Sequence, residues 1–449
     1  MPLSLAQQRM WFLNQLDPNS PVDNIPVAVR LEGALDVEAF RAAVTDVFSR
    51  HEALRTMYPT DADGPYQVVV PTAEAVPALV PVKVDPESLD QVLLDCVRIA
   101  FDVTKRVPVE ATLLEIGPEQ YVLITVVHHI SSDGWSMMPF TRDVITAYSA
   151  RIAGNAPDWE PLAVQYADYV LWQRDVLGSE DDPTSIISEQ VSHWETALRG
   201  IPDQLELPSF RPRPTQQSYR GDKLRFSIEP ELRGSLLEVA RAHNASLFMV
   251  VHSALAVLLA KLSGTTDIVV GTPIAGRGEE LLDDLVGMFV NTLVLRTEVD
   301  EDGSFADLLK QARSQDLAAF SNGDLPFERL VEVLNPTRST GRNPLFQVGL
   351  TFQNHEQGRL DLPGLTVSVI EFETQMSKID LQVTVVDPGP STGLIVVWTS
   401  SSNTPPIFST SESSRSSPSA SFEYSKLLRR IPQSWSAQST YSMPASVRG

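Results

Sequence analysis

The stretch Val126-Val127-His128-His129-Ile130-Ser131-Ser132-Asp133-Gly134 joins a predicted strand to a turn. The run from residue 121 to residue 130 is short, almost continuously apolar and rich in β-branched residues, which predicts a strand buried on both faces. Two histidines at the end of such a strand are costly unless they are hydrogen-bonded. They therefore need a structural or a functional explanation.

Side chains alternate along a strand, so His128 and His129 are expected on opposite faces. The pair cannot easily hold one metal ion, and no metal site is predicted. One imidazole should face the protein and the other the space beside the strand. A satisfied core residue is the usual interpretation of a lone buried histidine, but the adjacent pair shifts the balance toward function. Asp133 could act as a base, although a buried anion paired with an arginine is the favoured interpretation, and Gly134 permits close backbone approach.

Length and composition predict a globular protein with two lobes. The chain has 449 residues, of which 43% are hydrophobic and 20% are charged, and single cores rarely grow beyond roughly 250–300 residues. Strand and helix patterns are mixed in both halves, which predicts an α/β fold. We expect an N-terminal lobe at residues 1–177, a linker at 178–215 and a C-terminal lobe at 216–399.

Charge and cysteine content exclude several classes of partner and compartment. The formal net charge is −22, which repels phosphate backbones and anionic lipids. Cys96 is the only cysteine, so no internal disulfide can form. The N-terminus lacks a basic signal region, and the most apolar stretch is interrupted by polar residues. We predict a cytoplasmic protein that binds neither nucleic acid nor membrane.

The last part of the chain, residues 400–449, has a different composition. Eleven of the 22 residues from 400 to 421 are serine, and three are proline. Such a segment cannot bury enough apolar surface to offset the entropy of ordering it. We therefore expect a disordered Ser/Pro-rich tail.

The central stretch resembles the HHxxxDG motif of condensation domains of nonribosomal peptide synthetases. Other stretches resemble that family's remaining motifs in the same order, and together they cover residues 3 to 398. These stretches are residues 4–12, 50–56, 166–174, 271–277 with 286–292, 324–328 and 342–348.

The resemblance implies a chloramphenicol acetyltransferase-like fold, an α+β sandwich of two such lobes arranged as a V-shaped pseudo-dimer with a central tunnel. It implies an acyltransferase-type enzyme that forms an amide bond between a donor acyl or peptidyl thioester and an acceptor aminoacyl thioester. Both substrates would arrive on phosphopantetheine arms of peptidyl carrier proteins, with an adenylation domain adjacent. The domain itself would bind no cofactor.

The resemblance also assigns roles to residues of this sequence. His129 would face the tunnel, where a neutral imidazole could take a proton from the amine, orient it or stabilise the charged intermediate. Transfer would be direct, without an acyl-enzyme. The catalytic motif comprises His129, Asp133 and Gly134, the last leaving room for the acceptor arm. Support of the site is assigned to His128, Arg277, Arg55 and Trp172, with Asp133 paired to Arg277, and the tunnel lining to Trp135 and Ser136.

Several other functions are compatible with parts of these motifs. Residues 271–277 have the glycine spacing of a phosphate-binding loop, but Arg277 replaces the lysine and Gly278 the Ser/Thr, so nucleotide binding is rejected. His51 and His252 are expected at surface or helix positions without a function. Epimerisation domains share HHxxxDG, but the opening residues 7–13 and Trp135-Ser136 resemble condensation domains that accept an L-configured donor. A truncated or frameshifted, non-catalytic domain is the alternative of a different class, supported by the tail and by Asn322, where the family usually has histidine.

Overall fold

The computed structural model describes residues 1–207, 213–337, 339–353, 362–370, 376–389 and 391–401. The chain divides into two compact units. Unit 1 comprises Met1–Ile187, Ala275–Asn291 and Gly358–Thr374, and unit 2 comprises Ser188–Ile274, Thr292–Gln357 and Gln375–Gly449. Two segments from the C-terminal half therefore belong to unit 1, so the division is not a single cut at one linker.

Helices and strands alternate along the described chain. The helices are α1 Leu5–Leu16, α2 Val37–Arg50, α3 Thr72–Ala75, α4 Leu89–Val97, α5 Met137–Ile152, α6 Tyr166–Leu177, α7 Ile186–Ala197, α8 Pro230–Ala242, α9 Leu247–Ser263, α10 Phe305–Ser321 and α11 Phe327–Leu334. The strands are β1 Asn24–Gly33, β2 Thr56–Met57, β3 Thr60–Asp61, β4 Gly64–Pro65, β5 Val68–Val69, β6 Val82–Lys83, β7 Val109–Gly117, β8 Gln120–His128, β9 Gly221–Ile228, β10 Asp267–Ile274, β11 Asn291–Glu298, β12 Val348–Gln353, β13 Leu365–Val369, β14 Leu381–Val386 and β15 Leu394–Ser401.

Unit 1 is built on a five-stranded sheet in the order β13-β1-β8-β7-β6. Strand β8, which carries the histidine motif at its end, runs antiparallel to both of its neighbours, β1 and β7. Helices α2 and α5 pack against each other over one face of the sheet, and α4 contacts β1 and β8 from the other. The motif therefore leaves the sheet from its central strand.

The two faces of β8 differ in burial, so the prediction of a strand buried on both faces is only partly right. Val122, Ile124 and Val126 are buried, whereas Leu123 and Thr125 are half-buried. The half-buried side chains border a cavity of about 90 Å³ beneath α2 and α5. An unfilled apolar cavity of that size costs about 2 kcal/mol of stability.

Unit 2 contains a six-stranded sheet in the order β11-β10-β12-β14-β15-β9. Its core is formed largely by α9, in which every residue from Leu247 to Ala260 except Phe248 is buried. Strand β15 pairs through Ser401 with Gly221 of β9. The strand thus extends two residues into the segment predicted as tail, and the remainder of that tail lies outside the described residues.

The predicted linker, residues 178–215, contains a packed helix. Helix α6 ends at Leu177, and Gly178 follows it with a positive φ of 75°. Helix α7 follows, and its Trp194 is buried and donates a hydrogen bond of 2.8 Å to the Asn322 carbonyl. The hydrophobic side chain of Trp194 explains why this segment folds.

Across the described ranges, no single helix is long and apolar enough to cross a bilayer. Helices α8 and α9 reach that length and composition only together, and they meet at an angle of 101°.

The glycines at residues 271–277 serve packing, because β10 continues through Ile274 and Gly271 lies inside a strand. A Cβ at Gly271 would overlap the Phe346 ring, whereas one at Gly234 in α8 would have no neighbour within 4 Å. The phosphate-binding-loop interpretation therefore also fails on structure.

We predict opposite effects for two Gly→Ala substitutions. Gly271→Ala should lower the free energy of unfolding by about 1–3 kcal/mol because the new methyl group overpacks against Phe346. Gly234→Ala should leave stability unchanged or raise it by about 0.4–1 kcal/mol through helix propensity. Urea unfolding of both variants measures this, and equal stabilities would contradict the packing argument.

Candidate active site

The two histidines of the motif occupy different environments. His128 is 2% exposed, its Nδ1 accepts a hydrogen bond of 3.2 Å from the Ile130 backbone N–H, and its ring meets Phe101 edge-on. His129 is half-buried. Its backbone N–H donates to the Asp23 carbonyl at 2.8 Å, which continues the β1–β8 ladder one residue beyond β8. The accepting Nδ1 of His128 is satisfied within the protein, which suits a structural role.

Asp133 is fully buried and its carboxylate accepts from five donors. Oδ1 lies 2.8 Å from both the backbone nitrogen and the hydroxyl of Ser136, and 3.4 Å from Arg277 Nη2. Oδ2 accepts from the backbone N–H groups of Phe289 and Val290 at 2.9 and 3.1 Å. The predicted ion pair with Arg277 is present, but it is the longest of these contacts. The shortest contacts come from Ser136 and the backbone of residues 289–290.

Arg277 connects several elements of unit 1 around this carboxylate. Its Nη1 donates to the carbonyls of Leu282 and Leu285, and Nη2 lies 3.0 Å from the Ser136 hydroxyl. The guanidinium also stacks over the Phe289 ring at 4.1 Å. Lysine could not make these planar contacts, so arginine is required here.

Two glycines allow the chain to approach the buried carboxylate. Gly276 has φ 64°, and a Cβ there would collide with the Phe289 carbonyl. A Cβ at Gly287 would collide with the Tyr166 ring. The amide groups that bind Asp133 can therefore be presented only by a backbone with glycine at these positions.

Gly134 behaves differently from those glycines. It is exposed, and no described residue lies within 4 Å of the position that a Cβ would occupy. The idea that Gly134 permits a close backbone approach within this chain is therefore wrong. Open space next to the motif remains compatible with a ligand passing there.

The turn after the strand is fixed from a second side by α1 and Tyr58. Gln7, the residue that completes the capping box of α1, donates to the Ile130 carbonyl at 3.1 Å. The Tyr58 hydroxyl lies 3.2 Å from the same carbonyl and 2.9 Å from the Ser131 hydroxyl. Burial raises the pKa of Tyr58, so the phenol keeps its proton and remains a donor. Sequence reasoning found the cap but not this second role of Gln7, nor Tyr58.

Tyr166 of α6 links the start of the chain to the segment that binds Asp133. Its hydroxyl donates to the Met288 carbonyl at 2.7 Å and lies 3.1 Å from the Ser4 hydroxyl. Burial raises the pKa of Tyr166 well above its ordinary value. Within the stretch 166–174, Tyr166 thus makes this contact with the segment that binds Asp133.

The structure gives the positions of the remaining predicted residues. Ser136, expected in the tunnel lining, is fully buried and contacts Asp133. Trp172, expected to support the site, is 44% exposed and packs against Tyr169. Arg55 donates to the Val70 carbonyl and pairs with Glu52, so it holds the β2–β5 connection. Trp135 is half-buried.

A second buried ionic cluster anchors α5, the helix that follows the motif. His51, expected at an unremarkable position, is 1% exposed, and its Nε2 lies 2.8 Å from Asp143 Oδ2. Arg50 and Arg142 also donate to this carboxylate. Burial lowers the pKa of His51 despite the opposing effect of Asp143, so the ring is neutral near pH 7.

His252 also has a buried carboxylate partner, in unit 2. It lies in α9, as expected of a helix position, is 0% exposed and has Nδ1 3.1 Å from Asp316. No group of three or more His, Cys, Asp or Glu residues in the described ranges is arranged to hold a metal ion.

Comparison with known proteins assigns the family. Residues 1–397 match the family model described as condensation domain. The chain belongs to the condensation-domain family. This condensation domain is 50% identical over 381 residues to a dimodular nonribosomal peptide synthase of Bacillus subtilis (strain 168), an alignment covering 85% of the chain and 16% of that protein. The chain thus spans a small part of that relative's length.

Solved structures support the fold. The condensation domain resembles the X-domain from teicoplanin biosynthesis with a TM-score of 0.85 and 30% identity, covering 96% of this chain and 94% of that one. It resembles the first condensation domain of the CDA synthetase with a TM-score of 0.72 at 20% identity, covering 96% of each chain. The expected chloramphenicol acetyltransferase-like α/β fold is confirmed, and these matches do not favour the epimerisation or remnant alternatives.

We predict that Asp133→Ala destabilises the domain more than Arg277→Ala does. Removing the carboxylate strands a buried guanidinium and the backbone N–H groups of Ser136, Phe289 and Val290, at a cost of about 3–5 kcal/mol. Removing the arginine leaves four of the five donors to Asp133 in place. Thermal and urea unfolding of both variants provide the comparison. An unchanged Asp133→Ala stability would rule out the central role of this carboxylate.

We predict that the stabilising effect of His51 is lost in acid. The folded pKa lies below the unfolded value of about 6.5, so the unfolded chain gains the proton first as the pH falls. The stability difference between wild type and His51→Asn should therefore shrink from pH 7.5 to pH 5.5, by at most about 1.4 kcal/mol per pH unit. Urea unfolding across this range tests it, and a difference independent of pH would contradict it.

Proposed function

We propose that this condensation domain forms an amide bond between a donor acyl or peptidyl thioester and an acceptor aminoacyl thioester, with His129 at the reacting amine. The observation that carries the proposal is the contrast within the motif. His128 is buried with its Nδ1 satisfied, whereas His129 is partly exposed at the end of the central strand. We therefore propose that His129, and not His128, meets the substrate.

The surroundings of His129 support a fixed catalytic position. The next residue, Ile130, is held through its carbonyl by Gln7 and Tyr58, and Asp133 is held by five donors. A side chain on a segment fixed by these hydrogen bonds needs little reorganisation before reaction. The open space at Gly134 is the proposed path of the acceptor's phosphopantetheine arm.

Asp133 is not the proposed base. Each of its oxygens accepts hydrogen bonds from groups of the protein, and the residue is 0% exposed. A carboxylate in that setting has neither access to a substrate nor a free lone pair directed at one. Its proposed role is to hold the turn beside His129.

The proposed reaction is a direct acyl transfer. The acceptor nitrogen attacks the thioester carbonyl, the C–N bond forms, and the C–S bond then breaks to release the donor's pantetheine thiol. The proton lost by the amine is taken up by the departing sulfur, with His129 either carrying it or aligning the amine. No residue of the chain becomes acylated.

The proposed partners are a donor and an acceptor peptidyl carrier protein, with an adjacent adenylation domain. The name of the dimodular relative supports a multidomain setting. The phosphopantetheine arms belong to the carrier proteins, and the domain itself is proposed to need no cofactor. A net charge of −22 argues against nucleic acid as a partner.

We predict that His129→Ala abolishes amide formation, by at least about 100-fold, while the fold remains intact. The assay is single-turnover product analysis by mass spectrometry with both carrier proteins loaded. His243→Ala, which alters a histidine at the end of α8, is the matched control and should retain full activity. Near wild-type yield from folded His129→Ala would refute the assignment.

The His129→Gln variant separates the two roles of His129. If the imidazole carries the proton, His129→Gln is inactive, because an amide side chain cannot take up a proton. If it only aligns the amine, His129→Gln retains part of the rate because the amide can still accept a hydrogen bond.

A further inference from the structure

Unit 1 contains an apolar cavity of about 90 Å³ between its sheet and the two helices α2 and α5. On the sheet side it is lined by Ile25, Ala111 and Val127, and on the helix side by Met137 and Phe140, among others. Threonine hydroxyls are the polar side-chain groups of its lining. A cavity of this chemistry excludes water and accepts hydrocarbon.

The cavity is unlike an ordinary core between a sheet and helices. Protein interiors are packed to the density of organic crystals, so strand residues that face two helices should be wholly buried. Val27, Val29 and Leu123 face α2 and α5 yet are only half-buried. Residues on the opposite face, Ile124 and Val126, are 1% and 2% exposed. The cavity therefore lies on the face of the sheet that packs against α2 and α5.

That face is the one that leads to His129. Val127 lines the cavity two residues before His129, and Ile25 is its partner across the ladder. Because His129 continues the ladder opposite Asp23, it shares the face of Val127. Residues two apart on a strand are separated by about 7 Å. A group bonded to a carbonyl at His129 can therefore reach the cavity.

We propose that this cavity receives the aliphatic side chain of the acyl group that reacts at His129, an assignment that rests on the proposed function. Its volume is about 90 Å³, and an apolar cavity of about 150 Å³ holds benzene, a molecule of six carbons. It therefore suits a short branched or linear group of about three or four carbons. The cavity selects aliphatic acyl groups over small ones.

Binding can be tested without catalysis. Isothermal calorimetry compares isovaleryl-pantetheine with acetyl-pantetheine on the whole chain. Wild type should bind the isovaleryl compound at least about tenfold more tightly, since each buried methylene is worth roughly fourfold. Ala111→Leu, which fills the cavity, should abolish that preference. Thr112→Leu is the matched control. Thr112 neighbours Ala111 on β7 but pairs with Ile124 on the other face of the sheet, so this variant should retain the preference for the isovaleryl compound.

Activity with loaded carrier proteins gives a second measurement. Ala111→Leu should lower kcat/KM for an isovaleryl donor about tenfold relative to kcat/KM for an acetyl donor, whereas Thr112→Leu should leave this ratio unchanged. Phe140→Leu should shift the preference toward larger aliphatic donors, a change that simple destabilisation does not produce.

The outcomes are distinguishable. Equal affinities of wild type for the two compounds, or a preference that survives Ala111→Leu, would overturn the cavity assignment. Selective binding that is lost in Ala111→Leu, with no amide formed by wild type, would support the cavity and reject the proposed reaction.

Discussion

The buried carboxylate of Asp133 is the constraint on which the rest of the site depends. An uncompensated charge in a protein interior is very costly, so the chain must bring donors to both oxygens. It does so with Ser136 from the start of α5, with Arg277, and with the backbone of residues 289–290. Segments far apart in sequence are thereby fixed around one turn.

This requirement propagates into the neighbouring sequence. The backbone that donates to Asp133 passes so close to other groups that Gly276 and Gly287 admit no side chain. Tyr166 then closes the same segment through the Met288 carbonyl. On the other side of the turn, Gln7 and Tyr58 hold the Ile130 carbonyl. His129 lies between these two sets of contacts, and together they hold the backbone segment that bears its side chain.

Some residues illustrate the limits of local reasoning. The sequence predicts no function for His51, because nothing within its own segment requires an imidazole. Its partner, Asp143, lies 92 residues later and is brought to it by the packing of α2 on α5. The family resemblance assigns Ser136 to the tunnel lining, whereas its hydroxyl is buried against Asp133. Contacts of long sequence separation cannot be inferred from spacing in a single chain.

The sequence by itself determined the element types, the motif and the separation of the two histidines, because strand alternation is a local property of the backbone. It also indicated that Asp133 would be a buried anion paired with an arginine, and the family resemblance named that arginine as Arg277. Only the tertiary structure decided that backbone amides and Ser136 are the closer partners of Asp133, that Trp172 lies at the surface, and that one face of β8 borders a cavity. These features depend on how distant segments pack, and packing is set by the shapes of many side chains together.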